Sequence, residues 1–111
     1  MFSFLRRGST PEIDVDELDR LIEAGSVRVL DVREDHEWAR GHVVGAIHVP
    51  VKRLPDRVSQ LKHDKRYAVI CASGSRSRGA TDYLIGQGFE DAVSVHGGTS
   101  AWARSGRILA R

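Results

Sequence analysis

Four short apolar runs recur along this chain: Val27-Arg28-Val29-Leu30-Asp31-Val32, Ala46-Ile47-His48-Val49, Tyr67-Ala68-Val69-Ile70 and Ala92-Val93-Ser94-Val95. Stretches with helical spacing separate them. Runs of this length, rich in β-branched residues and without regular polar alternation, read as strands buried on both faces. Strands that alternate with helices predict an α/β fold, a parallel sheet covered by helices on each side. A further extended segment falls at Glu12-Ile13. The first helix is expected from about Asp16 to Ala24, with Leu18, Leu21 and Ile22 as its apolar stripe. Asp14 and Glu17 give it a capping-box-like start, and Gly25 stops it. Further helices are expected at Glu34 to Arg40, closed by Gly41, around Leu54 to Leu61, and from Ser77 to Gln87, with Ala80, Tyr83 and Leu84 on one face. The last is capped by Thr99 and runs through Trp102.

A chain of 111 residues is one domain, expected over residues 11–111 with residues 1–10 as an N-terminal extension. No internal repeat interrupts it. The single cysteine allows no internal disulfide, which suits a reducing compartment. Phe2, Phe4 and Leu5 precede Arg6 and Arg7, the reverse of the charge order in a secretory signal. No stretch approaches the roughly 18 to 20 apolar residues that span a bilayer. A soluble, cytoplasmic protein without membrane contact is the expectation.

Charge is distributed unevenly. Residues 11–50 carry ten acids and four bases, whereas residues 51–111 carry eleven bases and five acids. The basic half contains Cys71, with Arg76 and Arg78 nearby, an arrangement that suits a small anionic substrate. Lys62, Lys65 and Arg66 read better as solvated charges. Aromatic residues are few and are not interleaved with the bases, so nucleic-acid binding has little support.

Cys71 opens the run Cys71-Ala72-Ser73-Gly74-Ser75-Arg76-Ser77, between an apolar strand and a helix. In α/β folds reactive groups gather at the carboxyl ends of strands, and Asp31 and Arg33 stand at the end of another strand. Backbone N–H groups converge in such a loop, and the small residues Ala72, Ser73, Gly74 and Ser75 let it curl around an anion. A free thiol titrates near about 8.5. The loop amides, the following helix dipole and the Arg76 guanidinium should each lower that value and supply a nucleophilic thiolate.

Each of these residues also has a plainer reading. Cys71 can be an inert core thiol. Arg76 can tie the loop down, a role compatible with anion binding, and Arg78 can be a solvated helix residue. Asp31 and Arg33 can form a structural ion pair. His42, in the Gly41-His42 dipeptide, reads as a structural histidine. His36, His48, His63 and His96 have no metal-ligand spacing with one another or with Cys71, so no metal or other cofactor is implied. Ser73, Ser75 and Ser77 read as loop formers and helix caps, Trp38 and Trp102 as packing residues, with Trp102 near the site rim as the alternative.

Several motifs together resemble the rhodanese family. They are Leu30-Asp31-Val32-Arg33, Glu37-Trp38, Gly41-His42-Val43-Val44-Gly45-Ala46-Ile47-His48-Val49-Pro50, the Cys71–Ser77 loop, and Gly97-Gly98-Thr99-Ser100-Ala101-Trp102. The likeness covers roughly residues 11 to 104 in the family's order and spacing. It implies a five-stranded, mainly parallel sheet flanked by helices, sulfurtransferase activity and a persulfide on Cys71. It also implies that Asp31 and Arg33 support the active-site region from behind. Thiosulfate or a persulfide would be the small anionic sulfur donor. Cyanide or a thiol, such as thioredoxin or glutathione, would be the acceptor.

Two rivals stay open. A cysteine-dependent phosphatase or arsenate reductase shares the thiolate-in-a-loop logic but resembles Cys-x5-Arg, whereas Arg76 gives Cys-x4-Arg here. A tighter loop suits a sulfur atom better than a phosphoryl group, and no second cysteine is present to resolve an arsenylated intermediate. A non-catalytic rhodanese-like binding module is the other rival, although such modules typically lose the cysteine.

Overall fold

The computed structural model describes residues 9–111. The Phe2-Phe4-Leu5 tip, part of the expected N-terminal extension, lies outside the described residues. Thr10 is held to the body of the protein, its hydroxyl donating to the Asp82 carboxylate at 3.0 Å.

Five strands form one sheet: β1 (Glu12–Ile13), β2 (Val27–Asp31), β3 (Ile47–His48), β4 (Arg66–Ile70) and β5 (Val93–Val95). Their order is β1-β5-β4-β2-β3 and every pairing is parallel. The long central pair sets the register, with Val29 beside Ala68 and Asp31 beside Ile70. Both faces of these strands must be covered, because parallel connections place helices on each side. The helices are α1 (Val15–Glu23), α2 (Asp35–Arg40), α3 (Leu54–Arg57), α4 (Ser75–Gly86) and α5 (Gly98–Arg104).

Side-chain parity divides the core in two. On one face Leu30, Val32, Tyr67 and Val69 pack with Leu54, Ala80, Leu84 and Phe89, beneath α3 and α4. On the other, Val29, Ala68, Ile70, Val93 and Val95 pack with Leu18 of α1 and Trp102 of α5. Successive residues of a strand point to opposite faces. Continuing Tyr67 and Val69 by that rule places Cys71 on the α4 side, where it is fully buried.

Most element bounds fall within one or two residues of the sequence-based expectation, and the departures are instructive. The helix after Cys71 starts at Ser75, not Ser77. Gly74 takes the left-handed backbone at φ +105° and turns the chain directly into the helix, so Ser75, Arg76 and Ser77 form its first turn. Thr99 is not a cap. Gly97 at φ +80° is the N-cap and Gly98 begins α5, leaving Thr99 inside the helix. The stretch Leu54 to Leu61 is not one helix but a single α-turn between 3₁₀ turns at Val51–Arg53 and Val58–Gln60. The Leu61 amide bonds the Val58 carbonyl at 3.1 Å, and this tighter spacing brings Leu61 into the core. Asp14 caps α1 by accepting from the Glu17 amide at 2.8 Å, but the Glu17 carboxylate turns to Arg20 instead of closing the box.

Leu84 exposes no surface and sits between α4 and the sheet. Leu84→Ala is expected to lower stability by about 2–5 kcal/mol, the cost of a buried cavity of that size. Urea unfolding checks this: a midpoint that falls at unchanged slope is the expected result.

Candidate active site

The chain leaves β4 at Ile70, bends through four residues and enters α4 at Ser75. The bend wraps the cysteine sulfur. The Gly74 amide donates to Cys71 Sγ at 3.1 Å and the Ser77 amide at 3.3 Å, while Ser77 Oγ lies 3.5 Å away. The amides in the first turn of a helix have no carbonyl within the helix to bond. Here Ser77, in that turn, spends its amide on sulfur. Burial pushes the thiol up. The Ser77 hydroxyl and the amides of Ser77, Gly74 and Ser73 pull it down further, so that it titrates below the ordinary thiol value.

The loop's outer surface is held by α5. The Thr99 amide donates to the Cys71 carbonyl at 2.8 Å and the Ser100 amide to the Ala72 carbonyl at 3.0 Å. These two contacts turn the loop carbonyls away from the sulfur. Gly98 makes the approach feasible, since a Cβ there would collide with the Cys71 and Ala72 carbonyls. Gly74 also lies against Gly97, where a Cβ would meet the Gly97 nitrogen at 3.2 Å.

Arg76 does not face the sulfur as its closest partner. Its guanidinium forms a two-pronged bond with Glu37, at 2.7 and 2.9 Å. The Arg76 guanidinium is the main cause that holds the Glu37 carboxyl down at about 2, so both groups are charged at neutral pH. Glu37 also accepts from the Glu34 amide at 2.9 Å, which fixes it at the start of α2. Trp38, next in the chain, stacks on His42 and His48 with ring centroids 3.5 and 4.5 Å apart. His48 Nε2 donates to the Arg33 carbonyl at 2.8 Å. This column orients α2, and α2 orients Arg76.

Asp31 and Arg33 form a buried ion pair behind the site. Arg33 Nε reaches Oδ1 at 3.0 Å and Nη2 reaches Oδ2 at 2.8 Å, while Nη2 also donates to the Gly41 carbonyl at 2.7 Å. The pair joins the end of β2 to the turn after α2. Among the described residues neither side chain bonds Cys71.

Of the residues singled out from sequence, Cys71, Gly74 and Ser77 therefore converge on one point, with the Ser73 amide contributing. Ala72 serves through its carbonyl, and Ser75 is exposed at the helix start. Arg76 is committed to Glu37, and Arg78 is exposed on α4 without an ion pair among the described residues. His42 accordingly belongs to the stacked column, and Trp38 and Trp102 pack. Sequence reasoning missed Glu37 as the partner of Arg76, and it missed the clamp made by the α5 amides. The only sequence signals for these were the Glu37-Trp38 and Gly97-Gly98 motifs, neither of which states a contact. Among the described residues no set of three His, Cys, Asp or Glu side chains is arranged to hold a metal ion.

A cysteine sulfur cradled by backbone amides, at the carboxyl end of a central parallel strand, is a site built to favour an anionic sulfur. The model of the rhodanese-like domain family matches residues 14–105. The chain belongs to that family. It is 35% identical over 94 residues to the thiosulfate sulfurtransferase GlpE of Shewanella oneidensis, covering 85% of this chain and 93% of the relative. It is 36% identical over 96 residues to a sulfurtransferase of Allochromatium vinosum, covering 86% and 90%. The crystal structure of a rhodanese-related protein from Thermoplasma volcanium superposes with a TM-score of 0.84 at 35% identity, covering 90% of this chain and 97% of that one. These relatives support a function of the sulfurtransferase type.

Gly98→Ala tests the clamp. The substitution strains a backbone at φ +60° and drives a methyl into the loop carbonyls. Cys71 in this variant should lose its depressed titration, read as a slower reaction with iodoacetamide at neutral pH, and thermal unfolding should begin at lower temperature.

Proposed function

We propose that this chain is a sulfurtransferase that carries sulfane sulfur as a persulfide on Cys71, taking it from thiosulfate or an organic persulfide and passing it to a thiol or to cyanide. The observation that supports this most strongly is the set of amide bonds from Gly74 and Ser77 to Cys71 Sγ. They favour an anionic sulfur without needing a base beside it.

With thiosulfate, the Cys71 thiolate attacks the outer sulfur. The new S–S bond forms as the old one breaks, sulfite leaves with the electron pair, and Cys71 holds a persulfide anion. In the second half an acceptor thiolate attacks the outer sulfur of that persulfide. The acceptor departs as a persulfide and the Cys71 thiolate is restored. Cyanide in the same role leaves as thiocyanate. Charge balances in every step, and the amides of Gly74, Ser77 and Ser73 face a negative sulfur throughout. Ala72, through its carbonyl, and Arg76, through Glu37, hold the loop in shape around it, Ser75 stands exposed at its mouth, and Asp31 and Arg33 brace the neighbouring strand end.

Two features favour sulfur over phosphorus. The Cys71–Arg76 spacing makes the loop one residue tighter than the Cys-x5-Arg pattern of the phosphatases. Arg76 spends its two-pronged face on Glu37, leaving it unavailable for a phosphoryl group. Because Cys71 is the only cysteine, the acceptor thiol comes from another molecule, thioredoxin or glutathione in kind. The lone free cysteine supports a reducing, cytoplasmic setting, and no helix among the described residues is long and apolar enough to cross a membrane.

Incubation with thiosulfate followed by intact-mass measurement tests the proposal. A gain of one sulfur atom is expected, lost on addition of cyanide and absent in Cys71→Ser. No adduct, together with phosphate release from an aryl phosphate, would favour the phosphatase reading. No adduct from either thiosulfate or an organic persulfide, in a folded protein, would leave only a binding module.

A further inference from the structure

Ser94 occupies the middle of β5 between Val93 and Val95, and all three are buried, with Ser94 exposing no surface. A hydroxyl placed there is costly unless it is bonded. Its bond is to the sulfur site: Ser94 Oγ lies 2.7 Å from Ser77 Oγ. Ser77 Oγ in turn lies 3.1 Å from the Gly74 carbonyl and 3.5 Å from Cys71 Sγ. Three groups thus surround one oxygen that carries one proton.

Counting donors assigns the directions. The Gly74 carbonyl can only accept. Among the described residues the Ser94 hydroxyl has no acceptor other than Ser77 Oγ. If Ser94 accepted from Ser77, its own buried proton would have no partner, and the Ser77 proton would be lost to both the carbonyl and the sulfur. With Ser94 donating, every proton is placed. The protonated thiol donates to the second lone pair of Ser77 Oγ, and Ser77 donates to Gly74. Once the thiol has given its proton to solvent, the Ser77 proton is the one that can turn to the sulfur, while the proton from Ser94 stays on Ser77 Oγ.

We propose that Ser94 is a positioning residue of the sulfur site: by donating to Ser77 Oγ it fixes that oxygen beside Cys71 sulfur and polarises its O–H, so that the Ser77 proton turns from the Gly74 carbonyl to the sulfur when the sulfur becomes anionic. This deepens the sulfurtransferase reading and rests on it only in taking the Cys71 anion as the reacting species. The charged side chains facing the loop are Arg76 of α4 and its partner Glu37 of α2, with Glu34 beside them. At the end of β5, His96 is exposed and approaches Glu12 at 3.9 Å. None of these side chains hydrogen-bonds Ser77 or Ser94 among the described residues.

The test is a pH titration of the Cys71 thiolate, followed by its ultraviolet absorbance and by the rate of alkylation with iodoacetamide. Ser94→Ala is nearly isosteric and removes only the donor. Its midpoint should rise toward the ordinary thiol value. Below the wild-type midpoint, alkylation should slow about two- to three-fold, less than the worth of a hydrogen bond made to the sulfur itself, because Ser94 acts on it only through Ser77. The plateau at high pH should be unchanged, because the fully formed thiolate is equally accessible. Ser94→Thr keeps the hydroxyl and should return the midpoint to the wild-type value. Ser77→Ala should raise the midpoint at least as far, and Ser94→Ala added to it should have no further effect. A wild-type midpoint in Ser94→Ala, or a shift that adds in full to that of Ser77→Ala, would overturn the proposal and make Ser94 a packing residue. Neither readout uses a sulfur donor, so this result stands apart from the thiosulfate experiment.

Discussion

Backbone amides can stabilise an anion only if the chain bends tightly enough to aim several of them at one point, and that bend must be held against the tendency of its carbonyls to turn inward too. Here the bend lies between Ile70 and Ser75, and the anion it favours is the sulfur of Cys71. Gly74 supplies the left-handed turn, and α4 begins at once, so that the Ser77 amide adds to that of Gly74. On the outside, the Thr99 and Ser100 amides of α5 take the Cys71 and Ala72 carbonyls. The start of one helix binds the sulfur while the start of another binds the carbonyls that would oppose it. The rest of the molecule serves to keep these two helix starts in place.

The side-chain charges are spent on that task. Arg76 is joined to Glu37, Arg33 to Asp31 and the Gly41 carbonyl, and Arg53 to Asp35. Arg76–Glu37 joins α4 to α2, Arg53–Asp35 joins the turn after β3 to α2, and Arg33 ties Asp31 at the end of β2 to the turn after α2. Removing one partner of a buried pair such as Asp31–Arg33 leaves an uncompensated charge, which is why such pairs are costly to break whatever their net worth. The stacked His42, Trp38 and His48 rings add a rigid column beneath Glu37. What reaches the sulfur is then mostly dipole rather than formal charge.

The fold was largely legible because its signals are local: apolar runs of strand length, glycine stops and helical stripes each act within a few residues. The Cys71 loop was legible for the same reason, its nucleophile and small residues lying in one run. Parity even carries Cys71 to the α4 face without reference to anything distant. The parts that could not be read are contacts across the chain. Glu37 and Arg76 are 39 residues apart in sequence, and nothing in either neighbourhood names the other: the charge of Arg76 does favour the Cys71 anion, but its hydrogen bonds go to Glu37. Thr99 looked like a cap because its type favours that position. The close approach of Gly98 to the Cys71 carbonyl moved the helix start instead. Ser94 sits in a valine-rich run that reads simply as strand, and only the register of β5 against β4 brings its hydroxyl beside Ser77.

Hydrogen bonds from the Ser77 hydroxyl and the loop amides, and not the charge of the arginine in the loop, are the main pull that lowers the Cys71 thiol. Replacing both members of the Arg76–Glu37 pair, as Arg76→Gln with Glu37→Gln, removes the charges while keeping groups able to bond each other. Titration of the thiolate absorbance in this double variant separates the two sources. The midpoint should stay below the ordinary thiol value. A midpoint that returns to that of a free cysteine, in a protein that remains folded, would contradict it.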